Sequence, residues 1–284
     1  MIDLWLIGIG TGNPGHVTLE ARDALRQASL VLVPRKGPDK ADLVDLRHTI
    51  LRACDSPARV VEFDMPVRDE NLPYGARVAR WHDEIARIWT KTIAAARPDG
   101  PVAMLVWGDP GLYDSTLRIA ARLDPVPRLR VLPGITALQA LTAAHPIPFN
   151  TVNGAVTVTT GRRLTAHGWP GASDTVVVML DGACAFQHLD PDGVHIWWGA
   201  YLGMPEQVLD AGPLAEAGPR IIEKRAAART RHGWIMDTYL MRRITSPDSG
   251  GEGGKPFAAG RGVSPNYSVR PDGAFHLWRK DPPR

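Results

Sequence analysis

Apolar positions recur along the first half of the chain in two alternating rhythms. Residues 2–8 form a short apolar run closed by Gly8, the pattern of a buried strand. Residues 17–28 then place Val17, Ala21, Ala24, Leu25 and Ala28 on one helical face, with Thr18 or Asn13 placed to cap its start. Residues 30–33 are a second apolar run, which Pro34 is expected to end. Residues 40–53 read as a helix with Leu43, Leu46, Ile50 and Leu51 inward, and 59–63 as a third strand. Residues 74–96 carry Val78, Trp81, Ile85, Ile88, Trp89 and Ile93 along one side of a long helix. Residues 102–107 and 129–132 are further strands, and a helix over 135–144 follows Pro133-Gly134.

This alternation of strands and helices predicts a mostly parallel five-stranded sheet covered by helices on both faces. Ligands of such sheets bind beyond the carboxyl ends of the strands. The loops starting at Gly8, Pro34, Gly108 and Pro133 are therefore the expected site.

His145-Pro146-Ile147-Pro148 reads as a linker, because two prolines this close resist regular structure. Beyond it the rhythm weakens. Strands are expected at 155–160, 175–180, 194–200, 220–223 and 234–241, with a short helix at 205–209. The expectation is an α/β chain of two domains, 1–145 with a mostly parallel sheet and 149–244 with a mixed one. From Ser246 the composition turns to Gly, Ser and Pro, so 245–284 is expected to be a disordered tail without assigned function.

Composition narrows the class. The 284 residues are 44% hydrophobic and 22% charged, as in an ordinary globular protein. No apolar run reaches the ~18 residues of a membrane span. The N-terminus, Met-Ile-Asp-Leu-Trp, reads as a strand and not a signal peptide. Two cysteines, Cys54 and Cys184, make neither a disulfide framework nor a zinc site, and the cytoplasm is the expected location. A net charge of +3 is too mild to imply nucleic acid, yet it permits an anionic small molecule in a basic cleft.

The loop Gly8-Ile9-Gly10-Thr11-Gly12-Asn13-Pro14-Gly15 lies between a strand and a helix, which invites a dinucleotide reading. Counted from Gly8 at the strand end, the third glycine of G-x-G-x-x-G is missing, since Asn13 stands there. The second strand ends Val33-Pro34-Arg35-Lys36 without a ribose-binding acid, although Arg35 could serve a phosphorylated nicotinamide cofactor. No G-x-x-x-x-G-K-[ST] sequence is present.

Three ordered segments resemble the tetrapyrrole methylases, the class III methyltransferases. They are the loop from Gly8 to Leu19, Gly108-Asp109-Pro110-Gly111-Leu112-Tyr113, and Val131-Leu132-Pro133-Gly134-Ile135-Thr136-Ala137. Thr11 and Asn13 depart from the Pro and Asp usual in the first of these. Pro34-Arg35-Lys36 replaces an Asp found after the second strand in some members, so no base role carries over to that position. Within the family, residues 63–69, Trp81-His82, 223–229 and 232–236 resemble the deacetylating members of aerobic cobalamin synthesis. Those enzymes methylate carbon 1 of precorrin-5 and release acetate.

The resemblance implies S-adenosylmethionine as cofactor, no metal, and a homodimer. It places the cofactor against Pro14, Trp107, Gly108, Asp109, Leu112, Thr136, Ala137, Met179, Leu180, Tyr201 and Leu202. The implied substrate is a ring bearing acetate and propionate groups. Arginine binds carboxylates through its planar fork, which makes Arg35, Lys36, Arg77, Arg162 and Arg225 the candidate contacts. Acetate release calls for water activation, and Asp109, His16, His82 and Glu223 are candidate bases among which the sequence does not choose. The open alternatives are a family member acting on another ring carbon and a nicotinamide-dependent oxidoreductase.

Overall fold

The computed structural model describes residues 1–35 and 41–244. Lys36 and the 245–284 segment lie outside the described residues. The first half holds strands β1 (Asp3–Gly8), β2 (Leu30–Arg35), β3 (Arg59–Asp64), β4 (Val102–Val106) and β5 (Arg128–Leu132). They pair in the order β3-β2-β4-β1-β5, every pair parallel. The interleaved helices are α1 (Leu19–Gln27), α2 (Ala41–Ala53), α3 (Tyr74–Ala96), α4 (Thr116–Ala120) and α5 (Ala137–Ala144).

Both faces of this sheet are packed. Leu4, Leu6, Leu30, Leu32 and Met104 meet α3 through Ile85, Trp89 and Ile93. Trp5, Ile7, Val31, Val33 and Leu105 meet α1 and α2 through Ala21, Leu25 and Ile50. Strands buried on two sides read as unbroken apolar runs, which is why β1, β2 and β4 stand out in the sequence.

The capping question has two answers. The Thr18 hydroxyl accepts the Ala21 amide at 3.1 Å and starts α1, while Asn13 accepts the Gly15 amide at 2.8 Å and starts a short 3₁₀ turn, Pro14–His16. Pro34 does not end β2. The Ser29 and Arg35 carbonyls bond to β3, so the alternate residue Pro34 turns its nitrogen toward β4. The pairing of β2 with β4 stops at Leu32, so no ladder bond is lost at Pro34.

The second half builds a mixed sheet from β6 (Val156–Thr160), β7 (Thr175–Met179), β8 (Val194–Ala200), β9 (Val208–Pro213) and β10 (Asp237–Arg243), in the order β6-β7-β10-β8-β9. The β6–β7 pair is parallel and the others antiparallel. Helices α6 (Gly161–His167) and α7 (Leu214–His232) complete it.

Two expectations are corrected here. No helix occupies 205–209: Val208 begins β9, an edge strand paired along β8. Residues 220–223 are not a strand but the middle of α7, which runs through Pro219. Leu214, Ala217, Gly218, Ile221 and Ala228 are buried along α7, and that apolar stripe outweighs the local preference of Ile221-Ile222 for strand.

Candidate functional site: a cleft between the two sheets

Because β4, β1 and β5 are neighbours, the loops that leave them emerge side by side. Their glycines touch backbone to backbone. A Cβ on Gly134 would lie 2.1 Å from the Gly108 carbonyl oxygen and 2.8 Å from the Gly8 carbonyl carbon. A Cβ on Gly8 would lie 2.6 Å from the Gly134 nitrogen. No side chain fits at either position without moving main chain. Gly108 itself sits at φ +61° and donates its amide to the Gly10 carbonyl at 2.7 Å.

Asp109 locks this arrangement. Its Oδ1 accepts the Gly111 amide at 2.7 Å and its Oδ2 accepts the Gly134 amide at 3.0 Å. One carboxylate thus ties the loop after β4 to the loop after β5. Thr136 follows Gly134 and starts α5 with a reciprocal capping box to Gln139.

These loops form one wall of a cleft of about 570 Å³. Trp107, Gly108, Asp109, Leu112, Thr136 and Ala137 line it from the first half, and Met179, Leu180, Tyr201 and Leu202 from the second. Pro14 is not in the lining; it opens the 3₁₀ turn behind Thr11, which is. Backbone strain gathers at the lining, where Tyr113, Leu180 and Tyr201 have φ of +49°, +53° and +51°. A left-handed conformation costs a residue with a side chain on the order of 1–3 kcal/mol, so the surrounding structure must hold these turns in place. Leu180 is 67% exposed and presents an apolar face at the cleft, whereas Tyr201 is 2% exposed and donates its hydroxyl to the Trp234 carbonyl.

The second-half wall carries a buried polar network. The Arg225 Nε donates to Asp237 Oδ2 at 2.8 Å, their side chains only 12% and 9% exposed. Trp198 Nε1 donates to the same oxygen at 2.9 Å, and Arg225 Nη2 donates to the Asp181 carbonyl at 2.9 Å. Burial works to lower the Arg225 pKa, but the bond to Asp237 outweighs it and holds the guanidinium above its ordinary value. Asp181 accepts the Tyr239 hydroxyl and the Ala185 amide, each at 2.6 Å. Burial beside Asp181 raises the Tyr239 hydroxyl far above the usual tyrosine range. Arg225 therefore reaches the cleft with its fork already engaged.

The other charged candidates are dispersed. Arg35 pairs with Asp64 at 2.9 Å at the end of β2 and β3. Arg77 and Arg162 converge on the Tyr74 ring, 5.8 and 4.1 Å from its centroid, outside the cleft lining. Of the four base candidates only Asp109 lines the cleft. His16 packs against Gly203 with Nδ1 3.0 Å from the Thr11 hydroxyl, bridging two loops, and burial lowers its pKa. His82 is buried on α3, its pKa lowered by burial and then by Arg122, Arg118 and Arg68. Glu223 is exposed on α7.

The reading by residue type passed over Asp181, Arg229, Trp234 and Asp237, which also line the cleft. Arg229, Trp234 and the approach to Asp237 fall in or beside segments 223–229 and 232–236, so family resemblance pointed to them although periodicity did not.

Comparison with known proteins agrees with this geometry. The family model described as tetrapyrrole (corrin/porphyrin) methylases matches residues 3–218. A precorrin-6A synthase [deacetylating] from Sinorhizobium sp. is 45% identical over 251 residues, 86% of this chain and 96% of that protein. A uroporphyrinogen-III C-methyltransferase from the same source is 32% identical, covering 62% of this chain and 60% of that one. The crystal structure of a cobalamin synthesis related protein, CobF, from Corynebacterium diphtheriae superposes with a TM-score of 0.75 at 40% identity, over 86% of this chain and all (100%) of that one. A Thermus thermophilus uroporphyrin-III C-methyltransferase solved with S-adenosylhomocysteine shares the fold, with a TM-score of 0.57 at 20% identity over 84% of this chain and 97% of that one. The family model matched over residues 3–218 and the 45% identical relative covering 86% of the chain lead to one conclusion: this chain belongs to the tetrapyrrole methylase family.

Proposed function

We propose that the chain is a precorrin-6A synthase (deacetylating), which transfers a methyl group from S-adenosylmethionine to carbon 1 of precorrin-5 and releases acetate. The observation that carries the reading is the closure of Gly8, Gly108 and Gly134 on one another, because side-chain-free backbone lets the loops after β1, β4 and β5 meet as one floor under the cleft. The 45% identical relative of that name supports the choice of substrate.

The residues present fit the cofactor. Backbone around Gly108 and Thr136 offers polar groups on one side, while Met179, Leu180 and Leu202 offer apolar surface on the other for a flat adenine. Bound there, the cofactor supplies a methyl group already activated by its sulfonium. The protein's part is then orientation and dryness: the braced loops hold donor and acceptor in line, and the apolar wall keeps water from the methyl group. Asp109 serves as the brace, since both its oxygens hold amides. In this reading, residues 1–145 and 149–244 are two domains that share the cleft, and the active form is a cytoplasmic homodimer.

Incubation with precorrin-5 and methyl-labelled S-adenosylmethionine tests the proposal. One methyl transferred per acetate released is the expected result. Methylation without acetate would retain a family methylase acting elsewhere on the ring and reject the deacetylating assignment. Failure to form S-adenosylhomocysteine in a single turnover would reject both.

A further inference from the structure

Among the described residues of the first half, Arg47 is a deeply buried cation whose hydrogen-bonding groups are only partly satisfied. It sits on α2, 4% exposed, with its guanidinium 4.9 Å from the centre of the Trp107 ring. Its Nη1 donates to the Leu43 carbonyl at 3.0 Å, one turn back on the same helix. Its Nε is buried without a partner among the described residues, and no bond from Nη2 is present there either. That Nε–Nη2 edge is the one with which arginine grips a carboxylate by two parallel hydrogen bonds. Leu43, Trp107 and Asp114, the acid whose field Arg47 feels, all line the cleft. The guanidinium therefore lies directly behind the cleft wall. Burial pushes its pKa down to about 10, so it stays charged at neutral pH.

A buried charge with one neutral acceptor is expensive, and proteins keep such charges where a counter-ion arrives. Stacking on Trp107 fixes the plane of the fork but supplies no acceptor for its edge. On the reading proposed above, both ligands bring carboxylates: the amino acid end of the cofactor and the acetate and propionate arms of the ring. We propose that Arg47 is a carboxylate-binding residue of this cleft, its ligand entering past the half-buried Trp107 ring.

Calorimetry on Arg47→Met and Arg47→Lys separates the two sources, using S-adenosylhomocysteine and 5′-deoxy-5′-methylthioadenosine, which lacks the amino acid end. If the cofactor supplies the carboxylate, Arg47→Met weakens S-adenosylhomocysteine by about 10- to 100-fold and leaves methylthioadenosine unchanged. If the ring supplies it, both nucleoside constants stay and KM for precorrin-5 rises by a similar factor while kcat holds. In either case Arg47→Lys retains part of the affinity, and the melting temperature of Arg47→Met stays or rises, because an unpaired buried charge has been removed. Unchanged binding and KM in Arg47→Met would overturn the proposal. So would a lowered melting temperature with equal weakening of both nucleosides, the mark of a mere prop for Trp107. A wild-type protein that binds no S-adenosylhomocysteine would instead sink the methyltransferase reading, and this proposal with it.

Discussion

Asp109 shows how far the position of a single carboxylate constrains its role. Both oxygens accept backbone amides, one within its own turn and one from Gly134 across the cleft floor. Asp109→Asn keeps one of these bonds and sets an amide donor against the other amide. The expected result is S-adenosylhomocysteine binding weakened by about tenfold, a loss of ~1–2 kcal/mol, with the shape of the pH–rate profile retained. Loss of the acidic limb would make Asp109 a proton acceptor and not a brace. Gly134→Ala tests the floor itself. With a Cβ 2.1 Å from the Gly108 oxygen, it should cost ~1–3 kcal/mol or more in urea denaturation. Gly171→Ala, where nothing lies within 4 Å, should stay within ~0.5 kcal/mol. The sequence announces Asp109 and Gly134 as motif members but not their bond, because it joins loops 25 positions apart. Arginine partners were hidden for the same reason. Arg35 looks free in the sequence, and only the parallel register of β2 with β3 brings Asp64 beside it.

Most elements of the first half were legible because the central strands β1, β2 and β4 are apolar runs and the long helices show a stripe, with Gly and Pro between them, whereas the five-residue α4 carries too little pattern to be read. The second half misleads where local preference and packing disagree. Ile221-Ile222 after Pro219 resembles a strand start, yet Ile221 faces the core from within α7 while Ile222 is 37% exposed. The helix continues because its stripe is long enough to absorb one missing hydrogen bond. Pro219 is exposed and caps nothing, so Pro219→Ala should stabilise the protein. A helix-interior proline is ~3 kcal/mol less favourable than alanine, so a gain of up to about 3 kcal/mol is expected. Thermal and urea denaturation would show it. A loss of stability would mean that Pro219 is required to seat Arg225 on Asp237.

At the scale of the whole molecule, burial depresses four histidines among the described residues, His16, His82, His145 and His195. A group whose pKa falls on folding binds fewer protons in the native state, so stability rises with pH where the unfolded chain still holds the proton. The contribution is complete above the ordinary histidine value of 6.5 and is lost as pH falls below it toward the depressed values. Melting temperature should therefore decline from about pH 6.5 downward, before the carboxylates titrate. His16→Gln should shallow that slope, and an unchanged slope would remove His16 from the set. His145 ties this titration to the junction of the two halves, since its Nε2 lies 2.9 Å from the Trp198 carbonyl on β8.

The meeting of Gly8, Gly108 and Gly134 also bears on how such chains diverge. Gly8 and Gly134 each leave no room for a Cβ beside the other's backbone, and Gly108 is held at φ +61°, so a replacement at any of the three strains the floor. The trio therefore acts as one constraint on the main chain, whereas the walls above it include side chains that a substitution can change without moving the floor.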